Sequence, residues 1–204
     1  MSNSISLLYD GDEEEQRVYA TPSSFSPWLT APPNRNVAFY RKTPNPQADG
    51  APIKQVLAQT KLPAGPGPFL ILVNENPNDD TLRTVVLEHS LDAHPLAEYR
   101  VINLSKRRLA IRLADHNMLL DSGKTEKTAY PEGRKTWLKV AVNDEENGWI
   151  KVVSKPRPVD NTTRATLVIM DIPPTRQDPN PIGLIVREAR ESVVADEAGV
   201  PQVL

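Results

Sequence analysis

Cysteine is absent from the 204 residues. That excludes disulfides, thiolate catalysis and cysteine-ligated zinc or iron–sulfur centres. Histidine is scarce, at three residues, and aromatic residues make up only 5% of the chain. Neither sign of charge is in real excess: 24 Lys and Arg against 26 Asp and Glu leave a formal net charge of -2. No global field therefore draws the chain to nucleic acid or to an anionic membrane. No run approaches the roughly 20 apolar residues of a membrane span. The opening MSNSISLLYDGDEEEQ has neither a basic n-region nor an apolar h-region, so no signal peptide is read there. No internal repeat recurs at a fixed period.

What the chain does contain is a succession of short apolar runs between residues 68 and 172. They are FLILV, LRTVVLE, YRVINL, RLAIRL, TWLKVAV, WIKVV and ATLVIM. Each is rich in Val, Ile and Leu and closed off by Asn, Asp, Pro, Gly or Ser, the reading of antiparallel strands. The twenty prolines fall between the runs, as strand breakers and extended connectors. The expected fold is all-β with little helix: an antiparallel β-sandwich, immunoglobulin-like or jelly-roll-like. A single sandwich domain is expected over 1–190, with an irregular Pro-rich N-terminal part (1–67) and a polar C-terminal tail at 191–204.

Further strands are expected at Ile5 to Tyr9, Arg17 to Ala20, 36–41, 53–62 and 183–188. In the strand at 53–62, Ile53, Gln55 and Leu57 oppose Lys54, Val56 and Ala58. FLILV (69–73) and ATLVIM (165–170) are apolar at every position, which predicts central strands covered on both faces. A hairpin is predicted at 136–154, turning through DEENG with Asn147 and Gly148 in positive φ. Pairing Val142 with Ile150 sets Val140 opposite Val152 and Leu138 opposite Ser154. One face is then aliphatic, and the other carries Trp137, Lys139, Trp149, Lys151 and Val153. A one-residue slip would bury a lysine, so the register is well specified. A second hairpin is predicted at 98–114, with SKRR near its turn. KPRPVDNTT (155–163) and PPTRQDPNP (173–181) read as extended connectors.

Three stretches together resemble an uncharacterised group of bacterial exported β-sandwich proteins. They are FSPWLTAPPNRNVAFYR (25–41), AEYRVINLSKRRLAIRLADHNMLLDSG (97–123), and WIKVVSKPRP followed by RATLVIMD (149–171). The carrying motif is a strand ending in Asn103, Leu104 and Ser105, then a further strand, a short insert and the turn Asp121, Ser122, Gly123. The resemblance implies a sandwich fold and export to the periplasm or beyond. It brings no catalytic residue with it.

Catalytic and metal-binding patterns fare poorly. HSLDAH (89–94) places His89, Asp92 and His94 in one connection, but the spacing matches no standard ligand set. Ser90 beside His89 is not a catalytic pair, because neighbouring strand side chains point to opposite faces. No G-x-S-x-G elbow occurs. Glu75, Glu88 and Glu98 are the acids near the central strands that could make a glycosidase pair, but each lies at the end of an apolar run, where a solvated acid is the ordinary finding. DGDEEE (10–15) and NDEEN (143–147) lack the residue order of a calcium loop and suit sheet-edge protection better. The basic spots at 106–108 and 155–158 are not interleaved with aromatics as single-strand binders require.

The indoles carry more weight. Trp137 and Trp149, flanked by Lys139 and Lys151, are either covered intramolecularly, by SPWLTAPP with Trp28 packing across that face, or form a candidate binding face to which Trp28 adds a further contact. The expected function is that of a non-catalytic module of the cell envelope that binds another protein or self-associates. No cofactor, metal or nucleic acid is expected. Alternatives are a carbohydrate-binding module stacking sugars on the indoles, and a carboxylate-dependent glycoside-type enzyme.

Overall fold

A computed structural model of the chain describes residues 4–11, 14–47, 50–76, 79–195 and 201–203. The protein is all-β, with fifteen strands and no helix among the described residues. It divides into two compact units, Met1–Ala93 and His94–Leu204, where one domain over 1–190 was expected. Each unit holds enough apolar strand to close a core of its own.

In the first unit, β1 (Ile5–Asp10), β2 (Glu15–Ala20), β3 (Asn36–Thr43) and β4 (Ile53–Lys61) form an antiparallel sheet in the order β2-β1-β3-β4. The Pro-rich N-terminal part thus contains a regular sheet, and its longest irregular stretch is residues 21–35. A ribbon of β5 (Phe69–Glu75) and β6 (Leu82–Glu88) packs Phe69, Ile71, Val73 and Val86 against the sheet's Leu7, Tyr9, Val37 and Phe39. FLILV is therefore one half of a two-stranded ribbon, half-buried along its length, and not a central strand. In β4 the expected alternation breaks. A bulge opposite Phe39 and Tyr40 makes both Leu57 and Ala58 buried while Val56 turns to solvent.

The second unit is a two-layer sandwich. One layer takes β7 (Glu98–Asn103), β10 (Thr125–Ala129), β13 (Thr163–Asp171), β14 (Leu184–Ala195) and β15 (Pro201–Val203), in the order β10-β7-β13-β14-β15. The other takes β8 (Leu109–Leu113), β9 (His116–Leu120), β11 (Lys135–Asp144) and β12 (Gly148–Pro158), in the order β12-β11-β8-β9. All pairings are antiparallel except β7 with β13. Tyr99, Val101, Leu167 and Ile169 of the first layer meet Leu109, Ile111, Leu138 and Val140 of the second. ATLVIM lies in β13, at the centre of its sheet, with Leu167 and Thr166 buried on opposite faces.

Residues 98–114 do not form a hairpin: β7 and β8 belong to different layers. The chain crosses between layers at Asn103 to Arg107, and polar side chains hold the corner. Fully buried Asn103 donates through Nδ2 to the carbonyls of Arg107 (2.8 Å) and Leu120 (2.9 Å) and accepts from the Ser105 amide (2.9 Å). The Ser105 hydroxyl and the Arg107 guanidinium donate to Asp171 at 2.7 Å each. The last long strand also runs further than expected, since β14 extends to Ala195 where a tail from 191 was read. Likewise β12 carries KPRP inside the strand and leaves only 159–162 as connector.

Candidate functional site

The β11–β12 hairpin keeps the expected pairing of Val142 with Ile150, then departs from it. A bulge between Val140 and Ala141 sets Val140 opposite Val153 and Leu138 opposite Lys155. Val153 consequently points into the core, 5% exposed, and not outward as the unbulged register requires. The turn differs too. Asp144 pairs with Gly148 across a three-residue loop, and only Gly148 takes positive φ, at 69°. The Asp144 carboxylate accepts from the amides of Glu146 (3.2 Å) and Asn147 (2.9 Å), which fixes that loop.

The four other outward residues keep the face assigned from the sequence. Trp137 and Trp149 are 51% and 48% exposed, and Lys139 and Lys151 are exposed beside them. Trp137 stands opposite Pro156 and Trp149 opposite Asn143. Those two rungs are six positions apart on β11, so the indoles sit about 20 Å apart along the strand. Trp28 belongs to the first unit, on the irregular segment between β2 and β3, and is 56% exposed.

Between the indoles lies a feature that single-residue reasoning missed. The cross-strand register places Leu119, Ala110, Ala141 and Lys151 on one rung and Asn117, Arg112, Lys139 and Ser154 on the next. Ala110 and Ala141 are neighbours with short side chains, and the larger groups around them leave an open groove of about 490 Å³. Leu119, 54% exposed, forms one wall, and Arg112, Lys139 and Lys151 form the rim. The floor is apolar and the rim is cationic. The signal was present in RLAIRL and HNMLL, where Ala110 and Leu119 fall at the outward positions of an inward-facing aliphatic alternation. It became readable only when strand order put β8 between β11 and β9.

The other candidates are placed elsewhere. His89 is buried in the first unit with its ring 5.6 Å from that of Phe25. His94 is buried in the second unit, its Nε2 3.3 Å from the Glu98 carbonyl. No group of three or more His, Asp or Glu side chains stands ready to hold a metal among the described residues. The Ser90 hydroxyl donates to Glu88 (3.0 Å) and accepts from the Ala93 amide (3.1 Å), the bonding of a turn cap. Glu75 and Glu88 lie at opposite ends of the β5–β6 ribbon, opposite Leu82 and Phe69. That is about 20 Å, well beyond the reach of a glycosidase acid pair. Glu98 belongs to the other unit. Of DGDEEE, residues 12 and 13 lie outside the described residues. Asp10 and Glu15 both accept from Tyr40 and pair with Lys54 (2.9 Å) and Lys42 (2.7 Å).

The second unit, then, is a β-sandwich whose outer sheet face presents two indoles and a cation-rimmed groove. No family model and no curated protein matches the chain.

Proposed function

We propose that the protein is a non-catalytic β-sandwich module of the cell envelope that works by binding another protein. One observation carries the reading: the outer face of the β12-β11-β8-β9 sheet gathers Trp137, Trp149, Leu119 and three cations around an alanine-floored groove. Exposed indoles and arginines are the groups that dominate protein interfaces: an indole removes a large area from water for few frozen torsions, and a guanidinium presents a planar fork of donors. The non-catalytic part rests on where the acids go, since Asp144, Asp160 and Asp171 are each bonded into a turn or corner. The envelope location rests on the resemblance of residues 25–41, 97–123 and 149–171.

A photo-reactive residue at position 119 or 149, introduced in the native host, tests this. The expected result is one reproducible protein adduct from both positions and none from exposed Glu132, which lies off the β12-β11-β8-β9 sheet. Adducts from all three positions, or from none, overturn the reading.

A second reading has an observation of its own. Two half-exposed indoles on one sheet face are stacking platforms for sugar rings. If sugars are the ligand, Trp149→Ala abolishes retention on a polysaccharide gel while changing stability by less than about 0.5 kcal/mol. Unchanged retention removes the sugar reading.

A further inference from the structure

We propose that the groove over Ala110 and Ala141 takes an extended acidic segment of the partner, with one apolar side chain seated between the alanines. The inference rests on the protein-binding reading above and names the chemistry of what binds.

Charge complementarity is the first support. Fourteen outward positions can be read from the register of this sheet, from Lys135, Trp137, Lys139, Ala141 and Asn143 on β11 to their neighbours on β8, β9 and β12. Four of them, Arg112, Lys135, Lys139 and Lys151, are cationic and none is acidic, on a chain whose net charge is -2. Neither Lys139 nor Lys151 has an ion-pair partner among the described residues. Arg112 donates through Nε to the Ala114 carbonyl (3.0 Å), and its ion-pair partner is solvent-exposed Asp115 at 3.3 Å, where a pair is worth little.

The second support is a cost the fold carries. Arg112 and Lys139 are directly opposed cross-strand neighbours. Like charges at such a rung destabilise a sheet, and within this unit only the exposed Asp115 beside Arg112 offsets the repulsion. A carboxylate lying over the rung would offset it at Lys139 as well.

Spacing is the third. Lys151 stands opposite Ala141, so Lys139 and Lys151 are diagonal neighbours, about 7–8 Å apart at Cα. Carboxylates at alternate positions of an extended chain are about 7 Å apart. The residue between them points the other way, so the apolar side chain stands at the next alternate position, on the carboxylates' own face.

The test uses the full-length protein with Trp28→Phe, so that fluorescence reports Trp137 and Trp149. Two synthetic peptides of about ten residues serve as probes, enough to cross the sheet. One carries Glu at alternate positions with a single central Leu, and in the other every Glu is Gln. At an ionic strength of about 0.01 M the Glu peptide should bind about tenfold tighter than the Gln peptide. The preference should shrink at about 0.15 M, where screening is stronger. The double variant Lys139→Gln, Lys151→Gln should lose the preference. Ala141→Leu fills the groove without altering charge and should abolish binding of both peptides. Leu119→Ser should weaken both, and serves should Ala141→Leu fail to fold.

Equal binding of the two peptides overturns the acidic recognition and leaves the protein-binding reading standing. Absence of peptide binding overturns the inference. If polygalacturonate then binds instead, the sugar reading replaces both. Binding of anionic vesicles, or a concentration-dependent dimer abolished by the double Lys variant, assigns the face to a membrane or to a second copy and likewise overturns the inference.

Discussion

Arg164 shows what one side chain can decide. It is fully buried on β13, where Nε donates to Glu191 at 3.0 Å and Nη1 to the His94 carbonyl at 2.6 Å. A charge removed from water this completely is tolerable only because it is paired and hydrogen-bonded. Glu191→Gln keeps the shape and removes the counter-charge, so it should cost about 3 kcal/mol in urea unfolding. A loss below about 0.5 kcal/mol would show that the pair does not hold Arg164 in place. Nothing in the sequence marked Arg164 as different from the solvated Arg108 or Arg112. Its burial follows from ATLVIM lying at the sheet centre, and that placement was legible.

The β11–β12 hairpin and the Asn103 to Arg107 corner show how elements depart from pattern. The hairpin was read correctly at Val142 and Ile150, and the bulge after Val140 then moved Val153 inward. A bulge inserts one residue without changing composition, so alternation alone could not place it. Val153→Ala should therefore cost about 2 kcal/mol, whereas Lys151→Ala should be near neutral. Equal, small effects in thermal unfolding would restore the unbulged register. At the corner, partial burial pushes the Asp171 carboxyl up. Hydrogen bonds from the Lys106 amide, Ser105 and Arg107 outweigh that and hold it below the usual carboxylate range. Asp171→Asn should lose about 1–2 kcal/mol at neutral pH, because the guanidinium then faces an uncharged acceptor. The cost should shrink as pH falls through the lowered native pKa of Asp171, because the wild-type carboxyl then loses its charge too. The SKRR run read as a hairpin turn because its polarity is the same whether the chain reverses within a sheet or crosses to another.

Carboxylates across the molecule shift in one direction. The Tyr40 hydroxyl and Lys54 lower Asp10, Lys42 and Tyr40 lower Glu15, and the Thr81 hydroxyl lowers Asp79. The Asn147 amide lowers Asp144, and the Thr162 hydroxyl lowers Asp160. The unfolded chain therefore binds more protons in the acid range than the folded one does. The stability linked to these groups is complete above the ordinary carboxylate range and is lost as pH falls through the lowered native values. The urea midpoint should hold steady above about pH 5 and fall below about pH 4. A midpoint that rises on acidification would mean that these carboxylates are better protonated than charged in the fold.

Local pattern settled the fold class, the existence of most strands and the outward direction of Trp137, Lys139, Trp149 and Lys151. Alternation and turn residues act over a few neighbours, and those neighbours are adjacent in the chain. Strand order, the bulges after Phe39 and Val140, the two-unit division and the β7-to-β8 crossing came from tertiary packing. Each depends on partners tens of residues away. The groove belongs with these: Ala110, Leu119, Ala141 and Lys151 become one rung only because β8 lies between β11 and β9.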